Sequence, residues 1–97
     1  MKFMLSWRLH TDSRVDAMTG FSQMSAADDD ADTGPDVSVI GRWHNVAEGT
    51  GVAICESDSA SAVYRWGLNW IPVLDLKIEP VLDDDETREV LRDAFSS

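Results

Sequence analysis

Apolar and polar residues alternate along the N-terminal segment from Lys2 to Leu9. Successive side chains of an extended strand point to opposite faces, so this period of two predicts a half-buried strand. One face carries the apolar residues Phe3, Leu5, Trp7 and Leu9. The other face carries Met4, Ser6, Arg8 and His10. Asp12 is then a candidate N-cap, and apolar residues at helical spacing predict a helix to about residue 25.

The segment from Ser25 to Asp36 is small and acidic and closes with Gly34-Pro35, which is typical of a loop. Alternation returns from Val37 to Val46 and predicts a second strand. Its two faces are Val37, Val39 and Trp43 on one side and Ile40, Arg42 and His44 on the other. Ala47-Glu48-Gly49-Thr50 suits the turn of a hairpin into a third strand, Gly51 to Glu56.

The most regular helical pattern follows this hairpin. Ser57 or Asp58 can cap a helix whose stripe at i, i+3, i+4 and i+7 is Val63, Trp66, Gly67 and Trp70. Pro72 ends that helix, and alternation from Val73 to Val81 predicts a fourth strand. The acidic run Asp83 to Glu86 favours the start of a last helix, because the helix dipole stabilises negative charge there.

This order of elements predicts an α+β fold, the ferredoxin-like βαββαβ arrangement with an extra C-terminal helix. We expect residues 1–97 to form a single domain with a four-stranded antiparallel sheet. Both main helices are expected to cover the apolar face of the sheet. The opposite, open face is then expected to carry the polar residues Arg8, His10, Arg42, His44, Glu56, Asp75 and Glu79.

The pattern Arg-x-His occurs twice, as Arg8-Leu9-His10 and Arg42-Trp43-His44. Each copy places a cation and an imidazole on one face of its strand. Arginine offers a planar fork to a carboxylate, and a nearby histidine can donate a second hydrogen bond or exchange a proton near neutral pH. The candidate ligand-binding residues are Arg8, His10, Arg42, His44 and Glu56, and the candidate catalytic residues are His10 and His44.

Three interpretations of this Arg/His cluster stay open. It can be a pocket for a small organic acid, a structural network with Glu56, Asp75 or Glu79, or a metal site at His10 and His44. Metal is the least favoured, because histidines on distant strands have no recognised ligand spacing and arginines repel a cation. No metal and no cofactor are therefore predicted.

Other residues favour plain structural roles. The four tryptophans and Cys55 are expected in the core. Their indole N–H groups need partners, and Asn69 is a candidate for a contact or cap. Asp28-x-Asp30-x-Asp32 begins like a calcium-binding loop. Such a loop requires glycine at position six and glutamate at position twelve, and this segment has neither. A solvated loop without calcium is therefore favoured.

Composition narrows the partners. The net charge of −10 and the pI near 4.3 argue against nucleic acid and against an anionic membrane surface. The single cysteine excludes an internal disulfide and favours a reducing compartment. No apolar run is long enough for a signal-peptide core or a membrane span. We therefore expect a soluble cytoplasmic protein.

Several segments together resemble one small family that is known only as a domain of unknown function. They are Trp7-Arg8-x-His10, Gly41-Arg42-Trp43-His44, Gly49 to Glu56, Arg65-Trp66-x-Leu68-Asn69-Trp70 and Pro80 to Glu86. The resemblance places the chain in the dimeric α+β-barrel superfamily of ferredoxin-like proteins. It implies a homodimer in which two protomers pack sheet to sheet around a barrel-like cavity, with no established catalytic residues.

The predicted function is therefore that of an uncharacterised small homodimer which binds a small anionic or aromatic organic acid in a cavity on the open sheet face. One alternative is a cofactor-free enzyme of the monooxygenase or isomerase kind, with a histidine as general base. Another is a structural or stress-related dimer without a ligand. Fold alone does not decide among these, because the superfamily's members differ in activity.

Overall fold

Eight elements follow one another along residues 1–96, which the computed structural model describes. They are β1 (Lys2–Leu9), α1 (Arg14–Ser22), α2 (Ala26–Thr33), β2 (Ser38–Asn45), β3 (Thr50–Glu56), α3 (Ala60–Leu68), β4 (Leu74–Val81) and α4 (Asp84–Phe95). The strands form one antiparallel sheet in the order β2-β3-β1-β4. The predicted α+β class and four-stranded antiparallel sheet are confirmed, whereas the element order contains one helix more than predicted.

The additional helix is α2, which lies where the sequence predicts a loop. The Ser25 hydroxyl accepts the Asp28 N–H at 3.1 Å, and the Asp28 carboxylate accepts the Ser25 N–H at 2.9 Å. This reciprocal pair is a capping box, which satisfies two N–H groups at the helix start. Asp28 and Asp29 also place negative charge in the first turn, where the dipole favours it. The loop prediction was wrong because these acidic side chains act at a helix N-terminus.

A β-bulge in β2 changes which residues face the helices. Val39 pairs with Cys55, but the next pair is Gly41 with Ile54, so Ile40 is an extra residue. An extra residue shifts the alternation of every side chain that follows it. Arg42 and His44 therefore share the face of their partners Ala53 and Gly51, the face that packs against the helices. The prediction that Arg42 and His44 lie on the open face was wrong.

The core lies between the sheet and the helices. Its buried residues are Phe3, Leu5, Val37, Ala53, Cys55, Val63 and Trp66, with Trp7 and Trp70 partly buried against them. Burial raises the pKa of the Cys55 thiol, which fits the expected packing role. Trp43 is the exception among the tryptophans. It is 59% exposed on the open face, because the bulge turns it away from the helices.

The last helix is held to the sheet at its start and exposes apolar side chains in its C-terminal half. Lys2 Nζ lies 3.3 Å from Asp83 Oδ2 and 3.3 Å from Glu86 Oε1, which ties the beginning of α4 to β1. These contacts raise the pKa of Lys2. Further along α4, Val90, Leu91 and Phe95 are exposed, and Phe95 is 81% exposed. No residue of α4 is buried.

No helix in the described part of the chain combines the length and the apolar character that a membrane crossing requires.

Candidate functional site

A cavity of about 390 Å³ lies between the sheet and helices α1 and α3. Its wall is mostly apolar and aromatic, and includes Leu5, Trp7, Phe21, Trp66, Trp70 and Leu76. The polar side chains of the wall are Arg42, His44 and Asn45 of β2 and Thr50 of β3, and Arg42 is the one with a fixed charge. A largely apolar cavity with a few placed polar groups is the usual form of a small-molecule site.

Gly51 makes room for one wall of the cavity. A Cβ atom at this position would lie 2.2 Å from Cζ2 of Trp7 and 2.8 Å from the backbone oxygen of Trp43. Real Cβ atoms do not approach a rigid ring so closely. The Trp7 indole can therefore lie against the β1–β3 pair only because residue 51 has no side chain.

Arg42 reaches from β2 toward α2 and α1. Its Nη2 donates to Asp29 Oδ1 at 3.3 Å, and its guanidinium carbon lies 4.9 Å from the centre of the Phe21 ring. The side chain is 19% exposed, so its charge is more shielded from water than that of a surface arginine. Packing on Phe21 fixes the plane of the guanidinium. The guanidinium is thereby held at the cavity wall. One of its N–H groups binds Asp29, and others remain that a ligand can use.

His44 lies at the cavity mouth between two aromatic rings. The centre of its imidazole is 5.7 Å from that of Trp7 and 4.9 Å from that of Phe21. The residue as a whole is exposed, but partial burial of the imidazole lowers the pKa of His44, and the charge of Arg42 lowers it further. The neutral imidazole is therefore favoured near neutral pH. In that form it can donate one hydrogen bond and accept another.

Asp32 of α2 joins that helix to α3. Its carboxylate accepts the Trp66 Nε1–H at 2.9 Å, the Trp70 Nε1–H at 2.9 Å and the Asn69 amide at 3.1 Å. Asn69 also donates to the Asp32 backbone oxygen at 3.0 Å. This fixes two of the aromatic rings of the cavity wall. The need of the indole N–H groups for partners was visible in the sequence, but their shared acceptor was not, because its segment was predicted to be a loop.

The five predicted ligand-binding residues do not form one cluster. Arg42 and His44 lie together at the cavity, as described above. Arg8 faces the other side of the sheet, exposed, with its Nη1 3.4 Å from the Glu48 backbone oxygen. His10 follows the end of β1, and its Nε2 lies 3.1 Å from Asp75 Oδ1, a pairing that the structural-network interpretation anticipated.

Glu56 lies at the opposite end of the sheet from His10 and Arg8. It accepts from the N-terminal ammonium at 2.9 Å, and Lys2 Nζ is 3.5 Å away. The hydrogen bond from the N-terminus lowers the pKa of Glu56. The prediction of a single shared surface was therefore wrong, since β2 contains a bulge and Glu56 belongs to an ion-pair network at the far end.

Residues 1–96 contain no group of three or more histidine, cysteine, aspartate or glutamate residues arranged to hold a metal ion.

Comparison with known protein families identifies the family of this chain. The family described as a domain of unknown function (DUF3303) matches residues 1–95, nearly the whole chain. None of the curated proteins matches significantly. The match agrees with the resemblance seen in the sequence to an uncharacterised family.

Proposed function

The chain belongs to this family of unknown function, and we propose that it binds a small organic acid with an aromatic or otherwise apolar body. The binding site proposed is the cavity between the sheet and helices α1 and α3, rather than the open sheet face that the sequence suggested. The observation that carries the proposal is the placement of Arg42 and His44 together on a mostly apolar cavity wall.

The size and lining of the cavity support an apolar ligand body. Its volume of about 390 Å³ falls within the range of roughly 300–1,000 Å³ that is typical of small-molecule sites. Trp7, Phe21 and Trp70 offer flat rings against which an aromatic ligand can stack. A ligand in this cavity would replace water against these rings, which is the main source of affinity for an apolar body.

Arg42 and His44 support an acidic group on that ligand. The guanidinium can bind a carboxylate through two parallel N–H groups, which is stronger and more directional than a single hydrogen bond. The neutral His44 imidazole can donate a further bond to a carboxylate or accept one from a ligand hydroxyl. His44 is also a suitable proton acceptor for the enzyme alternative, but Arg42 and the apolar wall account for recognition without turnover.

The experiment that tests this function is thermal unfolding of the protein in the presence of benzoate, 1-naphthoate and the neutral isostere 1-naphthamide. An acid at a hundred times its dissociation constant stabilises the protein by about 2.7 kcal/mol. We expect stabilisation by at least one of the two acids, and its loss in Arg42→Met, which keeps an apolar stem but removes the carboxylate fork. Arg65→Met, at an exposed arginine of α3 outside the cavity lining, is the matched control and should retain the full effect.

Two outcomes would contradict the proposal. One is that neither acid changes the unfolding temperature of the wild-type protein. The other is that the Arg42→Met and Arg65→Met variants respond equally to the acid.

We propose further that the protein is a homodimer of the ferredoxin-like α+β-barrel kind. The strand order β2-β3-β1-β4, with α1, α2 and α3 on one face of the sheet, supports this architecture. The open face presents the exposed Trp43 together with Met4, Val52 and Ile54. The apolar residues of α4 are exposed as well. Packing two open faces together, with α4 of each protomer on its partner, would bury both apolar surfaces.

Sedimentation equilibrium tests the dimer. We expect the wild-type protein to have twice the mass of one chain, and Phe95→Glu to shift the equilibrium toward the monomer, because a buried charge would oppose association. Val15→Glu, which changes a similarly exposed apolar residue of α1, is the control and should leave the dimer intact. A monomeric wild-type protein, or equal dimerisation of the Phe95→Glu variant and the wild type, would refute the dimer.

A further inference from the structure

Asp29 is the one acidic side chain that pairs with Arg42 among residues 1–96. It stands on α2, and its carboxylate is 40% exposed, whereas the Arg42 side chain is only 19% exposed. The anion is therefore the more accessible member of the pair. The Asp29 carboxylate accepts one guanidinium N–H of Arg42 at 3.3 Å, which leaves fewer N–H groups for a ligand. Its negative charge also offsets the positive charge that would attract a ligand carboxylate.

The charges around the Arg42 guanidinium consequently cancel. Arg42 contributes one positive charge, Asp29 one negative charge, and His44 is favoured in its neutral form. A second anion must either displace Asp29 from Arg42 or share the guanidinium with it. Sharing brings two carboxylates close together, which costs more as the charge of the ligand increases.

From this arrangement we propose that Asp29 is a specificity-determining residue: its carboxylate competes with the ligand for Arg42, so that the cavity accepts monoanionic aromatic acids and discriminates against dianions. This inference rests on the proposed function, and it adds the charge class of the ligand. Phosphate esters and dicarboxylic acids of the same shape are then poor ligands, although their apolar bodies fit equally well.

The fold allows Asp29 to be changed without loss of α2. The helix begins with the Ser25–Asp28 capping box, and Asp32 anchors it to α3 through the tryptophan and asparagine side chains. Asp29→Asn removes the charge and keeps the size of the side chain. Asp30→Asn makes the same charge change at the next residue of the helix, which is exposed, and serves as the matched control.

The experiment is calorimetric titration of the wild-type, Asp29→Asn and Asp30→Asn proteins with three probes: 1-naphthoate, the dianion 1-naphthyl phosphate and neutral 1-naphthamide. We expect Asp29→Asn to tighten binding of naphthoate about fivefold, since a partly exposed charge contributes about 1 kcal/mol. The doubly charged phosphate ester should gain more, about twentyfold, because its repulsion by Asp29 is nearly doubled. Naphthamide should bind all three proteins equally, which also reports that the cavity is intact.

The inference is overturned if Asp29→Asn fails to tighten naphthoate binding, or if 1-naphthyl phosphate gains no more affinity than naphthoate. It is also overturned if Asp29→Asn changes naphthamide binding by the same factor, or if Asp30→Asn has an equal effect. In each of these cases naphthoate still binds the wild-type protein and the proposed function stands. Failure of naphthoate to bind the wild-type protein refutes both proposals together.

Discussion

Asp32→Ala is expected to lower the free energy of unfolding by about 3 kcal/mol relative to the wild-type protein. One carboxylate accepts the indole N–H groups of Trp66 and Trp70 and the amide of Asn69. A hydrogen bond to a charged acceptor contributes about 1.5–3 kcal/mol, and leaving a buried donor without a partner costs about 1–3 kcal/mol. Trp66 is only 4% exposed, so water cannot easily replace the lost acceptor. Urea unfolding followed by tryptophan fluorescence measures the change.

Two further variants separate the anchor from the charge of α2. Asp32→Asn keeps one acceptor oxygen and is expected to lose less than half as much stability as Asp32→Ala. Asp30→Ala removes an exposed carboxylate from the same helix and should change stability by less than about 0.5 kcal/mol. If Asp32→Ala destabilised the protein no more than Asp30→Ala, then Asp32 would not anchor α2 to α3.

Gly51→Ala is expected to destabilise the protein by about 2 kcal/mol and to weaken ligand binding as well. The added methyl group would lie 2.2 Å from the rigid Trp7 ring and 2.8 Å from backbone, so that strand or ring must move. Overpacking of this kind costs roughly 1–3 kcal/mol. A displaced Trp7 also changes the cavity wall and the ring that packs on His44. Thermal unfolding with and without 1-naphthoate measures both effects.

Gly20→Ala provides the opposite control. Gly20 lies within α1, and a Cβ atom there would meet no atom within 4 Å. Alanine in a helix interior is more favourable than glycine by about 0.5–1 kcal/mol. The same substitution should therefore stabilise the protein at residue 20 and destabilise it at residue 51. Equal responses at the two positions would contradict the packing described for Trp7.

Much of the fold was predictable from the sequence because it depends on local periodicity. The alternation of Lys2 to Leu9 predicted β1 with the bounds that the structure has. The stripe of Val63, Trp66 and Gly67 predicted the buried face of α3. In both segments the apolar residues that become buried follow a single period, which favours one assignment.

The candidate site was only half predictable. Arg42 and His44 were identified from the sequence, but their face was not, because a single extra residue at Ile40 reverses the alternation. The segment Arg42-Trp43-His44 does not reveal the bulge. Either alternation puts the tryptophan on one face of the strand and the arginine and histidine on the other, and neither arrangement is clearly favoured. Asp32 was missed for another reason. Its role depends on hydrogen bonds to Trp66 and Trp70, which follow it by 34 and 38 positions in the sequence. Local patterns do not encode contacts over such separations.

The measurement that tests the central claim most directly is a two-dimensional ¹H–¹⁵N NMR titration of the four indole N–H groups with 1-naphthoate. Trp7, Trp66 and Trp70 line the cavity, whereas Trp43 lies on the opposite face of the sheet, so the chain contains its own control. Single Trp→Phe variants assign the signals. We predict that the Trp7 and Trp70 signals move with a saturable dependence on ligand while the Trp43 signal stays in place. Movement of the Trp43 signal alone would place the ligand on the open face and contradict the account.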